Sequence, residues 1–244
     1  MQQRTLSVGA ASTLAPLWGE NVVLAFVAGY VDTLGFVALF GLFTAHVTGN
    51  FILIGSGLAG AGSGLLIKWL AFPAFVAGIV VARVFDDALR QHSHGTRVSG
   101  LYALQIALLA AFMVAGVFAA PITNADAPLT IACGLLGAAG MGVQNAHARL
   151  TARSVVANTV MTGNVTQAVI DAFDLLVPHS RHLAHVARAE ARERLTRTLP
   201  PVLAFALGAG GGALGWLTAS FWALVVPLAL LGALAACAWR AAAD

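Results

Sequence analysis

Four stretches of this chain, residues 33–67, 98–125, 127–148 and 198–239, carry no Asp, Glu, Lys or Arg. A helix crossing a bilayer needs about 20 apolar residues, so each stretch holds one or two crossings. Eight segments emerge near 21–43, 46–64, 68–86, 99–120, 127–147, 156–177, 199–217 and 220–240. Unbroken apolar runs of helix length exclude a membrane barrel, whose strands alternate over about 10 residues. Glycine and proline mark the linkers at 60–64, 86–100, 121–128 and 178–201. Pro200-Pro201 is expected to open the seventh segment, where a missing N–H does no harm.

Composition narrows the class. With 59% hydrophobic and 9% charged residues and a mean hydropathy of +0.85, the chain is neither a soluble domain nor a disordered one. Two cysteines cannot build a disulfide framework. A net charge of +3 would suit nucleic acid, but the basic residues sit between apolar runs: Arg83, Arg90 and Arg97; Arg149 and Arg153; Arg181, Arg188, Arg192, Arg194 and Arg197. That distribution marks cytoplasmic loops, and no nucleic-acid partner is expected. Arg4 is the sole early basic charge and no short apolar core follows it, so no removable signal peptide is expected.

A repeat is visible. Thr48-Gly49-Asn50 recurs as Thr162-Gly163-Asn164, 114 positions on (49 to 163), and Gly29-x-x-Asp32 aligns with Gly142-x-x-Asn145, 113 positions on (29 to 142). If all eight segments crossed, the basic connections 83–97 and 178–198 would face opposite sides of the membrane, against the positive-inside rule. The conflict disappears if each Thr-Gly-Asn segment enters and leaves on one face. The fold class expected is an all-α polytopic bundle of six full spans plus two re-entrant or broken segments, duplicated as an inverted repeat; a parallel four-plus-four repeat is the competitor. Residues 1–244 then form one membrane domain, with repeat 1 at about 21–120, repeat 2 at about 127–240 and a cytoplasmic basic connection at 178–198.

Asp32 is the conspicuous polar residue. An Asp near the centre of a span costs about 2.5–3.5 kcal/mol on insertion scales unless it faces a polar interior, so it either couples transport to an ion or proton, or fixes packing between helices. The two triplets suit helices that begin inside the membrane: Thr48 and Thr162 as N-caps, Gly49 and Gly163 for unusual backbone, Asn50 and Asn164 as polar ligands. Either they line a site for a small polar or anionic solute, together with Gln144 and Asn145, or they pack helices tightly. His46 is a second candidate coupling group. Asp171 and Asp174 are expected at the membrane surface. His179, His182 and His185, like His92 and His94, lack a cysteine or carboxylate to complete a metal set, so no metal or cofactor is expected. Gly208 with Gly212 and Gly211 with Gly215 form GxxxG pairs for close helix contact or a homo-oligomer. Cys133 and Cys237 read as small apolar core residues.

Gly29-x-x-Asp32 with Gly35-Phe36, the run from Phe43 to Asn50, and Gly142-Val143-Gln144-Asn145-Ala146 with Arg149 and Met161-Thr162-Gly163-Asn164 resemble the YoaK family of bacterial multipass inner-membrane proteins, over about residues 20–240. The resemblance implies a single-domain protein of the cytoplasmic membrane and supplies no substrate; the connection 178–198 is longer than the family pattern. The function expected is a small-solute transporter or permease, with a passive channel or a structural membrane protein as alternatives. No nucleophile and base pair indicates an enzyme.

Overall fold

A computed structural model describes residues 10–151, 158–159, 161–176 and 184–242. Among them the chain forms α1 (Ala10–Ala38), α2 (Gly49–Leu58), α3 (Leu65–Ala88), α4 (His94–Ala119), α5 (Pro128–Thr151), α6 (Thr162–Leu176), α7 (Ala184–Ala219), a 3-10 turn (Ser220–Leu224) and α8 (Val225–Arg240), and no strand. Five stretches are long and apolar enough to cross a membrane. The last, Arg188–Arg240, is two arms, because Ser220 takes a positive φ of 50° and turns the chain. Six long arms and two short helices result, as the charge argument requires. The Thr-Gly-Asn segments are the short ones, with 10 and 15 residues.

Two ends of the bundle can be told apart. Val37 and Ala38 at the end of α1, Pro121 before α5, and Trp216 and Ser220 at the end of α7 line one cleft at what we term the upper end. Lys68 at the start of α3 donates to the carbonyl of Phe40 there (2.7 Å). At the lower end, Gly95 of α4 meets Ala238 of α8, and Arg97 of α4 pairs with Asp86 of α3. Hence α1, α4 and α7 run upward while α3, α5 and α8 run downward. Each arm of the first half is opposite in direction to its counterpart in the second, so the repeat is inverted and the parallel alternative is excluded.

The halves are interlocked. α1 packs on α7, and α5 packs on α3; α1 and α5 are the most buried of the spans. Glycine permits both contacts. A Cβ at Gly29 would stand 2.2 Å from the carbonyl oxygen of Phe205, and one at Gly208 would stand 2.1 Å from that of Phe26. In the other half a Cβ at Gly142 would meet Phe75 O at 2.2 Å and one at Gly78 would meet Ala139 O at 2.1 Å. Backbone cannot yield as a side chain can, so these positions take no larger residue. The partners reveal a second stretch of the repeat: Ala74-Phe75-x-x-Gly78 in α3 corresponds to Ala204-Phe205-x-x-Gly208 in α7. Gly212 and Gly211 likewise sit on Tyr30 of α1, so the GxxxG pairs serve a contact within the chain.

One boundary differs from expectation. α7 begins at Ala184 and runs through Pro200 and Pro201. Prolines deprive the preceding turn of two donors, and Thr198 Oγ1 donates to Arg194 O (3.0 Å) in that turn, among the arginines of the lower end, where water can serve the carbonyls left over. Ion pairs at i,i+4 spacing line this part of the helix, Arg194 with Glu190 and Arg197 with Glu193.

Candidate functional site

The geometry of the first triplet begins with a reversal. After α1 the chain turns at Phe40 and Gly41, both at positive φ (54° and 76°), and residues 43–47 re-enter the bundle to the depth of Asp32. There the carboxylate collects unpaired backbone donors. Asp32 Oδ1 accepts from the N–H groups of Thr44 and Ala45, both at 2.7 Å, from His46 N–H at 3.4 Å and from Thr44 Oγ1 at 3.3 Å. Its Oδ2 lies 2.7 Å from His46 Nδ1, placed for the ring to donate. In a membrane interior, non-helical backbone persists only where its polar groups are satisfied by protein, and Asp32 does this for the re-entrant turn. Asp32 is 5% exposed and His46 29%, so the imidazole stands between the carboxylate and the outside. Its other face meets the ring of Phe205 edge-on at 5.4 Å.

Asn50 completes the turn. Its side-chain oxygen accepts from Phe43 N–H (2.9 Å) and its amide donates to Phe43 O (2.8 Å), clamping the descending strand of the loop. Both functions of this fully buried amide are thereby used within the chain. Thr48 is exposed and makes no side-chain cap bond, contrary to the N-cap expectation: with its own backbone already helical, its hydroxyl is not aimed at the first turn. Gly49 lies against the Phe43 ring.

In the second half Asn145, the counterpart of Asp32, donates to Thr159 Oγ1 (2.7 Å), a tie across a similar chain separation in which the side chain donates where Asp32 accepts. Asn164 is buried and reaches Met161 Sδ (3.5 Å), whereas Thr162 and Gly163 are exposed. The triplets do not come together: among the described residues α2 packs on α3, α6 on α7, and neither short helix touches the other. The first turn and Met161 instead approach α7 around Ala204 and Phe205, His46 against the Phe205 ring and Met161 in the apolar cluster with Ala25 and Ala204. Gln144 lies apart from both, fully buried, accepting from Gln105 Nε2 (2.7 Å) and donating to Leu24 O (2.8 Å).

Phe205 and Lys68 are site-shaping residues that sequence reasoning passes over. The buried Lys68 ammonium donates to the carbonyls of Phe40 and Ser63 and tethers both ends of the α2 excursion; a charged residue bounding an apolar run was the available signal. Asp171 is fully buried and held by Arg194 of the lower end (Nε to Oδ1, 2.9 Å), because α6 lays its polar edge on α7. Cys133 is buried as expected, but Cys237 faces outward. Among the described residues no cluster suits a metal; His179, His182, Arg153 and Arg181 lie outside them, as does the side chain of His185.

Comparison with known proteins agrees with this architecture. The chain is 25% identical over 150 residues to the UPF0700 transmembrane protein YoaK of Bacillus subtilis (strain 168), covering 61% of this chain and 64% of that relative, just under two thirds of its length. No solved structure matches. Residues 21–237 match the family described as protein of unknown function (DUF1275), a range that takes in both triplets and all or most of each long arm, and the chain is therefore a multipass membrane protein belonging to that family.

Proposed function

We propose that the protein is a small-solute transporter, a permease of the cytoplasmic membrane, with a small polar or anionic solute bound where the re-entrant turns meet α1, α5 and α7, and with Asp32 and His46 as its proton-coupling pair. The observation that carries the reading is the re-entrant turn itself: backbone broken at the depth of Asp32, inside an inverted repeat, is the architecture on which many secondary transporters bind solutes near the midplane. The lower end carries the arginines and is the cytoplasmic face. A proton taken up through His46 neutralises Asp32, weakens the carboxylate's hold on Thr44, Ala45 and His46, and loosens the turn. A charged acceptor binds roughly twice as strongly as a neutral one, so this single proton alters several bonds together. Of the candidate site residues, Asn50 supports the turn, Thr48, Gly49, Thr162, Gly163, Asn164 and Asn145 are assigned to the path to it, and Gln144 stands apart in its amide chain with Gln105.

Reconstitution in proteoliposomes tests this directly, with a panel of small polar and anionic solutes offered with and without a pH gradient. Accumulation driven by the gradient in the unmodified protein, with Asp32→Asn retaining solute exchange but not accumulation, is the expected result. Gradient-driven uptake by Asp32→Asn at the unmodified level overturns the coupling role, and equilibration with no response to any gradient makes the protein a passive channel.

A further inference from the structure

α1 holds a second carboxylate, at its lower end. Glu20 Oε1 accepts from the Tyr102 hydroxyl of α4, and His147 Nε2 of α5 lies 3.9 Å from the same oxygen. The Tyr102 ring meets the imidazole edge-on, with centroids 4.5 Å apart. One helical turn deeper, Gln105, Gln144 and the Leu24 carbonyl form the amide chain already described. Tyr102 with Gln105 and Gln144 with His147 are three residues apart, and Glu20 with Leu24 four, so three helices contribute to two stacked polar layers. The inner layer is linked by hydrogen bonds and leaves Gln105 Oε1 over among the described residues; the outer one leaves a whole ring unpaired. His147 is 1% exposed, yet neither ring nitrogen has a hydrogen-bond partner among the described residues. Buried polar atoms are rarely left so, and an unpaired one in a native protein calls for an explanation.

We propose that Glu20 and His147 form a proton-binding pair at the lower face. Glu20, whose side chain is 25% exposed, is the group that water reaches. A proton passes from water to its carboxylate and on to His147 Nε2, leaving an imidazolium beside a carboxylate; release is the reverse, and no bond other than O–H and N–H forms or breaks. Tyr102 is a positioning residue that fixes the carboxylate through its hydroxyl. Besides Glu20, the ionisable groups near the imidazole are His94 of α4, which opposes a positive charge there, and Asp86 of α3, which favours one, the latter held by Arg97 at 2.7 and 2.8 Å. α1 thus carries a carboxylate–histidine pair at each of two depths, twelve residues or about 18 Å apart along the helix. The role of the lower pair as the cytoplasmic exchange point for the coupling proton rests on the transport reading; its protonation does not.

The test uses full-length protein carrying 15N-histidine in phosphatidylethanolamine–phosphatidylglycerol nanodiscs, with the His147 resonance assigned by its loss in His147→Gln. From about pH 8 down to about pH 3, a range wide enough for an imidazole buried among apolar neighbours, the ring is expected to pass from the neutral to the doubly protonated form, and Glu20→Gln to displace that transition. In proteoliposomes Glu20→Gln should lower gradient-driven uptake at least about tenfold while sparing solute exchange. Should Glu20→Gln not fold, Tyr102→Phe, which removes only the orienting hydroxyl, makes the same comparison. A His147 that keeps one protonation state throughout, or a transition that neither variant moves, overturns the proposal. If no solute is moved but the titration is seen, the pair stands and the transport reading alone falls.

Discussion

Asp32 illustrates how a costly residue becomes a structural necessity. Its carboxylate is aimed at donors that come from the same chain twelve to fourteen residues later, so the charge and the broken backbone satisfy each other. Hydrogen bonds to a charged group contribute about 1.5–3 kcal/mol. Asp32→Asn, which retains an acceptor but no charge, is therefore expected to lower stability by roughly that amount, read as a lower melting temperature in detergent. Asn50→Ala should lose about 2–4 kcal/mol, because it leaves both the N–H and the carbonyl of Phe43 unpaired, whereas Thr48→Ala should change stability by less than about 0.5 kcal/mol. Equal melting of the two variants would show that the clamp is not what holds the turn. The sequence marks Asp32, His46 and Asn50 as unusual but not what they bind, since their partners are mostly main-chain groups of a loop with no regular pattern. Glu20 and His147 escaped notice for a different reason: they sit near span ends, where a polar residue attracts no attention.

At the level of elements, the crossing of α1 on α7 and its counterpart α5 on α3 depend on backbone approach. Gly208→Leu and Gly142→Leu should each cost at least about 1–3 kcal/mol through overpacking, while Gly210→Leu, on the same helix as Gly208 but facing open space, should be tolerated. Melting curves of the three variants decide it, and a Gly210 effect as large as that of Gly208 would indicate a general loss from glycine replacement. The helices themselves were legible, because apolar runs bounded by charge have little choice in lipid. The Ala-Phe-x-x-Gly repeat was not, since its offset of 130 (75 to 205) departs from the 114 (49 to 163) of the triplets. The long basic connection lies between the two landmarks and hides the correspondence. It also hides the true start of α7, where Pro200-Pro201 reads as a beginning although the helix is already four turns old.

For the whole molecule the arrangement of charge follows from the inversion. Arg83, Arg90, Arg97, Arg149, Arg188, Arg192, Arg194, Arg197 and Arg240 all fall at the lower end, and exposed Trp69 and Trp222 mark the upper rim while Trp239 marks the lower. In a background with Cys133 and Cys237 replaced, single cysteines at Ser93 and Thr196 should label from the cytoplasm and those at Ser63 and Asn124 from outside. Ser93 and Thr196 labelling from opposite sides would restore eight full crossings. Interlocking also imposes an order of events during synthesis. α1 emerges from the translocon long before α7, whose surface its glycine face must meet, and so spends the interval with that face against lipid or a chaperone. Asp32 need not wait, because the loop that satisfies it follows immediately. The re-entrant turn thereby acts as a temporary licence for a charged helix to enter the bilayer alone, and the last arms to arrive close the bundle around a centre that was laid down first.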